Sequence, residues 1–144
     1  MAVYLDSSAL VKRYVREPGS VRVDRLFAES APLLVSAIAL AECLAALARL
    51  RSDGSLSERA YGKARSACVE EWASLNVIAV SGGVQERVVG LLDRFALRGM
   101  DALHLASALW AQASIGGELS FLCSDRRLAE AAGRVGLKVV DPEA

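Results

Sequence analysis

Four carboxylates of this chain lie inside or at the end of apolar segments, where an unpaired charge is costly. They belong to the runs AVYLD, SAIALAECLAAL, MDALHLASAL and LSFLCSD. A buried carboxylate without a partner pays a large desolvation penalty. Four such residues in a short chain favour one shared explanation, a divalent cation that takes oxygen ligands. The candidate ligands are Asp6, Glu42, Asp101 and Asp125.

A cluster of three or four carboxylates is suited to one or two Mg²⁺ or Mn²⁺ ions. Without a cation the carboxylates repel one another, and some of them are driven toward protonation. A bound cation neutralises phosphate oxygens and lowers the pKa of water. The chemistry that these residue types indicate is therefore phosphodiester hydrolysis.

Each acid also has a purely structural interpretation. Asp101 and Asp125 stand where helices are expected to begin, and Asp is a favoured N-cap residue. Asp6 is suited to opening a turn after a strand. Glu42 is the hardest to explain in this way, because it interrupts a helix of mostly Ala, Leu, Ile and Cys with no Lys or Arg within one turn.

The composition narrows the class of protein. The 144 residues include 17 basic and 17 acidic side chains and are 53% hydrophobic, which excludes a strongly basic nucleic-acid binder but not a local basic rim. No apolar run approaches the ~18 residues of a membrane span. The N-terminus also lacks the pattern of a signal peptide. We therefore expect no membrane association and a cytoplasmic location.

The cysteines and the single histidine limit the kinds of site further. Cys43, Cys68 and Cys123 are far apart and odd in number, so a zinc site or disulfide scaffold is not expected and each is interpreted as a core residue. His104 follows Asp101 by one turn and is expected to pack beneath the site and orient a neighbour. A Ser-His-Asp triad using it remains conceivable, although no GxSxG motif is present.

Short apolar runs alternate with longer helical patterns. This alternation predicts a parallel sheet with helices on both faces. Ligands of such sheets bind at the carboxyl ends of the strands, an edge that Asp6, Glu42 and Asp125 reach, and Asp101 joins them if its helix begins there. A capping box of Ser55 and Glu58 is expected to start the fourth helix. The strands are expected at 3–5, 32–36, 76–80, 119–123 and 138–140, and the helices with clear bounds at 7–17, 20–30, 37–51, 100–114 and 125–135.

Four segments resemble the PIN domain and, more narrowly, the small toxins of VapBC-type toxin–antitoxin pairs. They are VYLDSSALVKRYV, SAIALAECLAAL, LRGMDALHLASAL and FLCSDRRLAEAAGRVGLKVV. The resemblance covers essentially the whole chain, in order, and implies a single domain over residues 1–144. It also implies a PIN-like α/β/α sandwich around a central, mostly parallel sheet of about five strands. The four acids of the family's Mg²⁺- or Mn²⁺-dependent ribonuclease site match Asp6, Glu42, Asp101 and Asp125.

The resemblance has further implications for individual residues. Ser7 and Ser8 match the hydroxyl residues that follow the first acid. Cys123 stands where the family often has Thr or Ser, and Ser124 supplies the adjacent hydroxyl. The expected substrate-binding residues are Ser7, Ser124, Arg13 and Arg126. A basic rim would hold the RNA, and each rim residue is alternatively part of a solvated helix face. The rim candidates are Lys12, Arg13, Arg16, Arg126 and Arg127.

The function expected from this resemblance is a metal-dependent endoribonuclease, the toxin of a type II toxin–antitoxin system. Such toxins commonly form homodimers and are silenced by an antitoxin segment in an apolar groove. Trp72 and Trp110 are interpreted as core residues, with the groove as the alternative. Two other functions remain open, which are a PIN-fold RNA-binding module without catalysis and a small-molecule phosphohydrolase.

Overall fold

The centre of the protein is a five-stranded sheet in which every pair of neighbouring strands is parallel. In the computed structural model, which describes residues 1–144, the strands are β1 (Ala2–Leu5), β2 (Leu33–Ser36), β3 (Asn76–Ile78), β4 (Leu119–Leu122) and β5 (Lys138–Val140). Their order in the sheet is β3-β2-β1-β4-β5. The predicted parallel sheet of about five strands is confirmed.

Seven α-helices flank the sheet. They are α1 (Ser7–Leu10), α2 (Ser20–Ala28), α3 (Ala39–Ser52), α4 (Glu58–Trp72), α5 (Gly82–Arg94), α6 (Gly99–Ile115) and α7 (Arg126–Arg134). None of them combines the length and the apolar composition needed to cross a membrane.

Side chains of the buried strands alternate between two cores, one on each face of the sheet. In β1, Tyr4 packs into the core under α5, α6 and α7, whereas Leu5 packs into the core under α1, α2, α3 and α4. The three cysteines are all buried, as their apolar surroundings predict. The α/β/α arrangement follows from this alternation, because each face of a fully buried sheet must be covered by helices.

The order of the strands creates a crevice between β1 and β4. The chain leaves the central β1 toward β2 and β3 and later continues on the other side with β4 and β5. In open parallel sheets ligands bind at such a switch point, outside the carboxyl ends of the strands. Here the amide N–H of Asp6 donates to the carbonyl of Leu122 at 3.1 Å and holds the two strand ends together.

The first predicted helix, at 7–17, is wrong in length. The helix α1 ends at Leu10, and only a 3₁₀ turn, Val11–Arg13, follows it. Tertiary contacts explain the early end, because Lys12 is buried and its Nζ donates to Glu17 at 3.0 Å and to Glu143 at 3.3 Å. Helical periodicity in the sequence cannot reveal partners that lie this far along the chain.

Two smaller predictions also need correction. The N-cap of α4 is Ser57, whose Oγ accepts from the amide of Ala60 at 3.1 Å, and not Ser55. The amide of Ser55 donates to Asp53 Oδ1 at 2.9 Å and so belongs to the preceding turn. Trp110 is 37% exposed and is therefore not a core residue, whereas Trp72 is partly buried.

Candidate active site

Asp6 is the most buried of the four acids, with 4% of its surface exposed. It caps the N-terminus of α1, where its Oδ1 accepts from the Ser8 hydroxyl at 2.7 Å and from the amide of Ala9 at 2.9 Å. Burial raises the pKa of Asp6 to about 6, although both hydrogen bonds act in the opposite direction. Neither hydrogen bond uses its second oxygen, Oδ2, which leaves this atom for a ligand.

Ser8 connects Asp6 to the segment after β4. The amide of Ser124 donates to Ser8 Oγ at 3.2 Å, and Ser8 in turn donates to Asp6. The hydroxyl of Ser124 is buried and has no hydrogen-bond partner. Cys123 occupies the position at which a hydroxyl residue is usual in the resembled family, and its Sγ makes a weak contact of 3.6 Å to the carbonyl of Asp125. Burial raises the pKa of this thiol.

Glu42 is held by a hydrogen-bond network that extends to it from the protein core. Ser7 Oγ donates to Glu42 Oε1 at 2.6 Å, and His104 Nε2 lies 2.6 Å from the same oxygen. On the other side of the ring, His104 Nδ1 lies 2.9 Å from the hydroxyl of Tyr4. The expectation that His104 packs beneath the site and orients a neighbour agrees with this geometry.

The network assigns the proton positions on His104. Glu42 is ionised and can only accept, so Nε2 carries a proton and Nδ1 accepts from Tyr4. Partial burial acts to raise the pKa of Glu42, but the hydrogen bonds from His104 and Ser7 outweigh it and leave this pKa below its usual value.

A catalytic triad does not form, although a serine, a histidine and a carboxylate are in contact. In a triad the two ring nitrogens of histidine bond to the serine and the acid separately. Here Nε2 faces both Ser7, at 3.1 Å, and Glu42, whereas Nδ1 is engaged by Tyr4. His104 is also only 2% exposed, so no substrate reaches it.

Asp101 and Asp125 face each other across a small polar cleft. Asp101 lies in the first turn of α6 and is not its N-cap, which is Arg98. Asp125 is the N-cap of α7, and its Oδ1 accepts from the amide of Leu128 at 2.8 Å. The cleft has a volume of about 290 Å³, and all of its lining residues are charged: Arg98, Asp101, Asp125, Arg126 and Arg127.

The four acids influence one another electrostatically. Burial and then the charge of Asp125 raise the pKa of Asp101, with a smaller contribution from Glu42. The charge of Asp101 in turn contributes to the raised pKa of Asp6. Only Asp6 is buried, however, and the other three acids are partly exposed, so the expected burial of all four is wrong.

The donor set suits a hard divalent cation in its chemistry. It consists of carboxylate oxygens whose mutual repulsion such a cation would relieve. As the side chains stand, no three His, Cys, Asp or Glu residues are close enough together to hold a metal ion. Metal binding by three of these acids would require their side chains to draw closer to one another.

The predicted basic rim divides into two groups. Near the N-terminus, Arg13 forms ion pairs with Glu71 at 2.8 Å and Asp24 at 2.9 Å, and Arg16 also pairs with Asp24. Together with the buried Lys12, these side chains tie the segment after α1 to the rest of the protein.

The second group is free of such partners. Arg126 and Arg127 are exposed, make no ion pair and line the cleft with Asp101 and Asp125. Arg98 joins them, and the sequence analysis missed it. The available signal was a cation three residues before Asp101, next to the glycine at which the helix begins.

Comparison with known proteins agrees with this arrangement. The model of the PIN domain family matches residues 3–134. Ribonuclease VapC46 of Mycobacterium tuberculosis is 38% identical over 142 residues, which cover 98% of each chain. A toxin-antitoxin complex from Klebsiella pneumoniae matches with a TM-score of 0.68 at 18% identity and 97% coverage of both chains. VapC20 of M. tuberculosis, described as a sarcin-ricin loop cleaving toxin, matches with a TM-score of 0.64 at 18% identity, over 94% of this chain and 95% of that one. The chain therefore belongs to the PIN domain family and, within it, to the VapC ribonucleases.

Proposed function

We propose that the protein is a Mg²⁺- or Mn²⁺-dependent endoribonuclease and the toxin of a toxin–antitoxin pair. The observation that carries this proposal is the all-charged cleft at the carboxyl edge of the sheet. It combines Asp101 and Asp125 with three unpaired arginines, and the charge of Asp101 contributes to the raised pKa of Asp6. Carboxylates can hold a divalent cation and guanidinium groups can bind a phosphate, a combination that suits phosphodiester hydrolysis.

The residues divide the work as follows. Asp6, Asp101 and Asp125 would hold the cation once their side chains draw together, and Asp6 keeps Oδ2 free of hydrogen bonds. Glu42, fixed through Oε1 by Ser7 and His104, would complete the site with its remaining oxygen. When bound, a divalent cation would act as a Lewis acid that stabilises the charge developing on the phosphate and lowers the pKa of the attacking water.

Arg126 is the predicted substrate-binding residue that the structure favours most. Its side chain is exposed, unpaired and part of the cleft. The hydroxyl of Ser7 is engaged with Glu42, the hydroxyl of Ser124 is buried and the guanidinium of Arg13 is engaged with two acids. We therefore give the phosphate contact to Arg126 and a scaffolding role to the other three.

The partner of the protein would be a cognate antitoxin. Several structural neighbours are toxin-antitoxin complexes, some of them bound to DNA. The antitoxin is the component that would restrain the ribonuclease until it is needed. The expected homodimer and cytoplasmic location stay predictions.

An RNA cleavage assay tests this proposal. Purified wild-type protein should cut a single-stranded RNA pool in Mg²⁺ or Mn²⁺ and stop when EDTA is added. Asp6→Asn and Asp101→Asn should each lose roughly a hundredfold or more of this activity. Asp93→Asn, which removes an exposed charge from α5, is the matched control and should keep full activity.

The same assay separates the alternatives. Full activity of Asp6→Asn in a clean preparation, or cleavage in EDTA, would reject the metal mechanism. RNA that is bound but never cut indicates a binding module, and faster hydrolysis of a model phosphoester than of RNA indicates a small-molecule phosphohydrolase. For the toxin role, expression of the wild type should arrest bacterial growth and Asp6→Asn should relieve the arrest.

A further inference from the structure

A second cleft along α7 adjoins the all-charged cleft that contains Asp101 and Asp125. Its volume is about 340 Å³, and its charged and aromatic lining residues are Arg94, Phe95, Arg127, Glu130 and Arg134. Arg127 also lines the all-charged cleft, so the two clefts have one lining residue in common. They therefore form one continuous surface that begins at the acids and leads away from them.

Five arginines are distributed along this surface, which we name the basic track: Arg94, Arg98, Arg126, Arg127 and Arg134. All five are exposed, and none of them forms an ion pair or a side-chain hydrogen bond. The chain as a whole has no net charge. A run of unpaired cations on a neutral protein is a local attraction for a polyanion.

Phe95 organises the far end of the basic track. The guanidinium carbon of Arg94 lies 5.0 Å from the centre of the phenyl ring, and that of Arg134 lies 5.3 Å from it. Stacking on the ring restricts both side chains but uses none of their N–H donors. Each guanidinium therefore keeps all of its donors for phosphate oxygens.

The basic track is long enough for more than one phosphate. Arg127 and Arg134 are seven residues apart on α7, which places them on the same helix face about 10 Å apart along its axis. Arg98 and Arg126 lie at the end near the acids, and Arg94 and Arg134 lie at the far end.

We infer that the basic track is the path of the RNA strand on one side of the scissile phosphate. Arg98 and Arg126 contact the phosphate at the acids, and Arg94 and Arg134 contact the neighbouring phosphates of the same strand. The N-terminal cations do not form the path, because Lys12, Arg13 and Arg16 are engaged with acids. This inference rests on the proposed function for the identity of the polymer.

Binding of RNA by a protein that cannot cut it tests the inference separately from catalysis. Fluorescence anisotropy would follow a short single-stranded RNA on Asp6→Asn protein in Mg²⁺. Adding Arg94→Gln and Arg134→Gln should weaken binding by roughly tenfold at moderate salt. The dependence of log K on log salt should become less steep by about 1.4, since each lost phosphate contact on a single strand removes about 0.7.

Two variants serve as controls. Arg59→Gln with Arg65→Gln removes the same charge from exposed, unpaired positions on α4 and should change the affinity by less than twofold. Arg94→Lys with Arg134→Lys keeps the charge and should recover most of the affinity and of the salt dependence. Circular dichroism and thermal melting establish that every variant is folded.

The outcomes distinguish this inference from the proposed function. In the cutting protein, Arg94→Gln with Arg134→Gln should raise KM for RNA and leave kcat within about twofold, because both residues lie away from the acids. The inference is wrong if the protein cuts RNA but Arg94→Gln with Arg134→Gln binds RNA as tightly as its parent. It is also wrong if the α4 double variant loses as much RNA affinity as this one. If RNA binding is unchanged and only binding of a protein partner falls, the surface serves a protein and the inference is overturned. A protein that binds RNA along the basic track without cutting it refutes the proposed function alone.

Discussion

Glu42 and Tyr4 are joined through the ring of His104, which contacts the carboxylate at 2.6 Å and the phenol at 2.9 Å. Tyr4 is completely buried and stacks on Phe121 with ring centres 5.4 Å apart. A side chain of the central strand therefore sets the position of an acid on α3 by way of α6. The orientation of Glu42 is a property of the core and not of its own helix.

Tyr4→Phe should destabilise the protein by about 1 to 2 kcal/mol, because the buried His104 Nδ1 would lose its donor. The phenylalanine keeps the stack on Phe121, so packing should change little. Urea unfolding monitored by circular dichroism measures this difference. Tyr61→Phe is the control, since the Tyr61 hydroxyl makes no hydrogen bond and its ring stays beneath Arg51. Equal stability of the two variants would argue against the network.

Asp6→Asn should stabilise the metal-free protein at pH 7.5. The folded pKa of about 6 against an ordinary value of 3.8 means that ionised Asp6 opposes folding, by up to about 3 kcal/mol. Asparagine removes the charge and keeps an oxygen to accept from Ala9. Denaturant unfolding in EDTA measures the gain, with Asp93→Asn as a neutral control. A clear loss of stability would show that the carboxylate is structural.

The effect of Asp6 on stability should depend on pH in a defined direction. Because its folded pKa is raised, its contribution to stability is fully present below pH 4 and is lost as the pH rises through about 6. The stability difference between Asp6→Asn and wild type in EDTA should therefore be near zero at pH 4 and greatest above pH 7.

Comparing Asp6→Asn with wild type at each pH cancels the contributions of the other acids to the pH dependence of stability. Glu42 and Asp24 have lowered pKa values, so their contributions are lost instead as the pH falls through those values. A difference between Asp6→Asn and wild type that stays constant from pH 4 to pH 8 would contradict the raised pKa of Asp6.

Arg13→Gln should lower stability and leave RNA affinity unchanged. Its guanidinium binds Glu71 through two nitrogens, at 3.1 and 2.8 Å, and binds Asp24 through the third. These side chains are about one-third exposed, so the loss is expected to be modest, about 1 to 2 kcal/mol. Urea unfolding and RNA anisotropy on the same variant check both parts. A loss of RNA affinity without a loss of stability would restore the role in substrate binding that the sequence predicts.

Much of the fold could be predicted because it depends on local patterns. Mostly apolar runs such as those of β1 and β4 mark strands buried on both faces, and helical spacing marks the longer helices. The helix expected at 100–114 is α6, and Gly116 ends it in a left-handed conformation at φ 70°. The first helix could not be predicted in length, because its end depends on the contact of Lys12 with the distant Glu143.

The candidate site divides in the same way. The sequence alone determined which acids interrupt apolar segments and, through the alternation of strands and helices, the sheet edge at which Asp6 and Asp125 meet. Only the tertiary structure decided that Asp6 alone is buried, that His104 and Ser7 share one oxygen of Glu42, and that Arg98 faces the acids while Arg13 does not. The physical reason is the distance along the chain between the residues that interact. Strand and helix patterns depend on neighbours within a few residues, whereas hydrogen bonds, ion pairs and pKa values depend on side chains brought together from opposite ends of the chain.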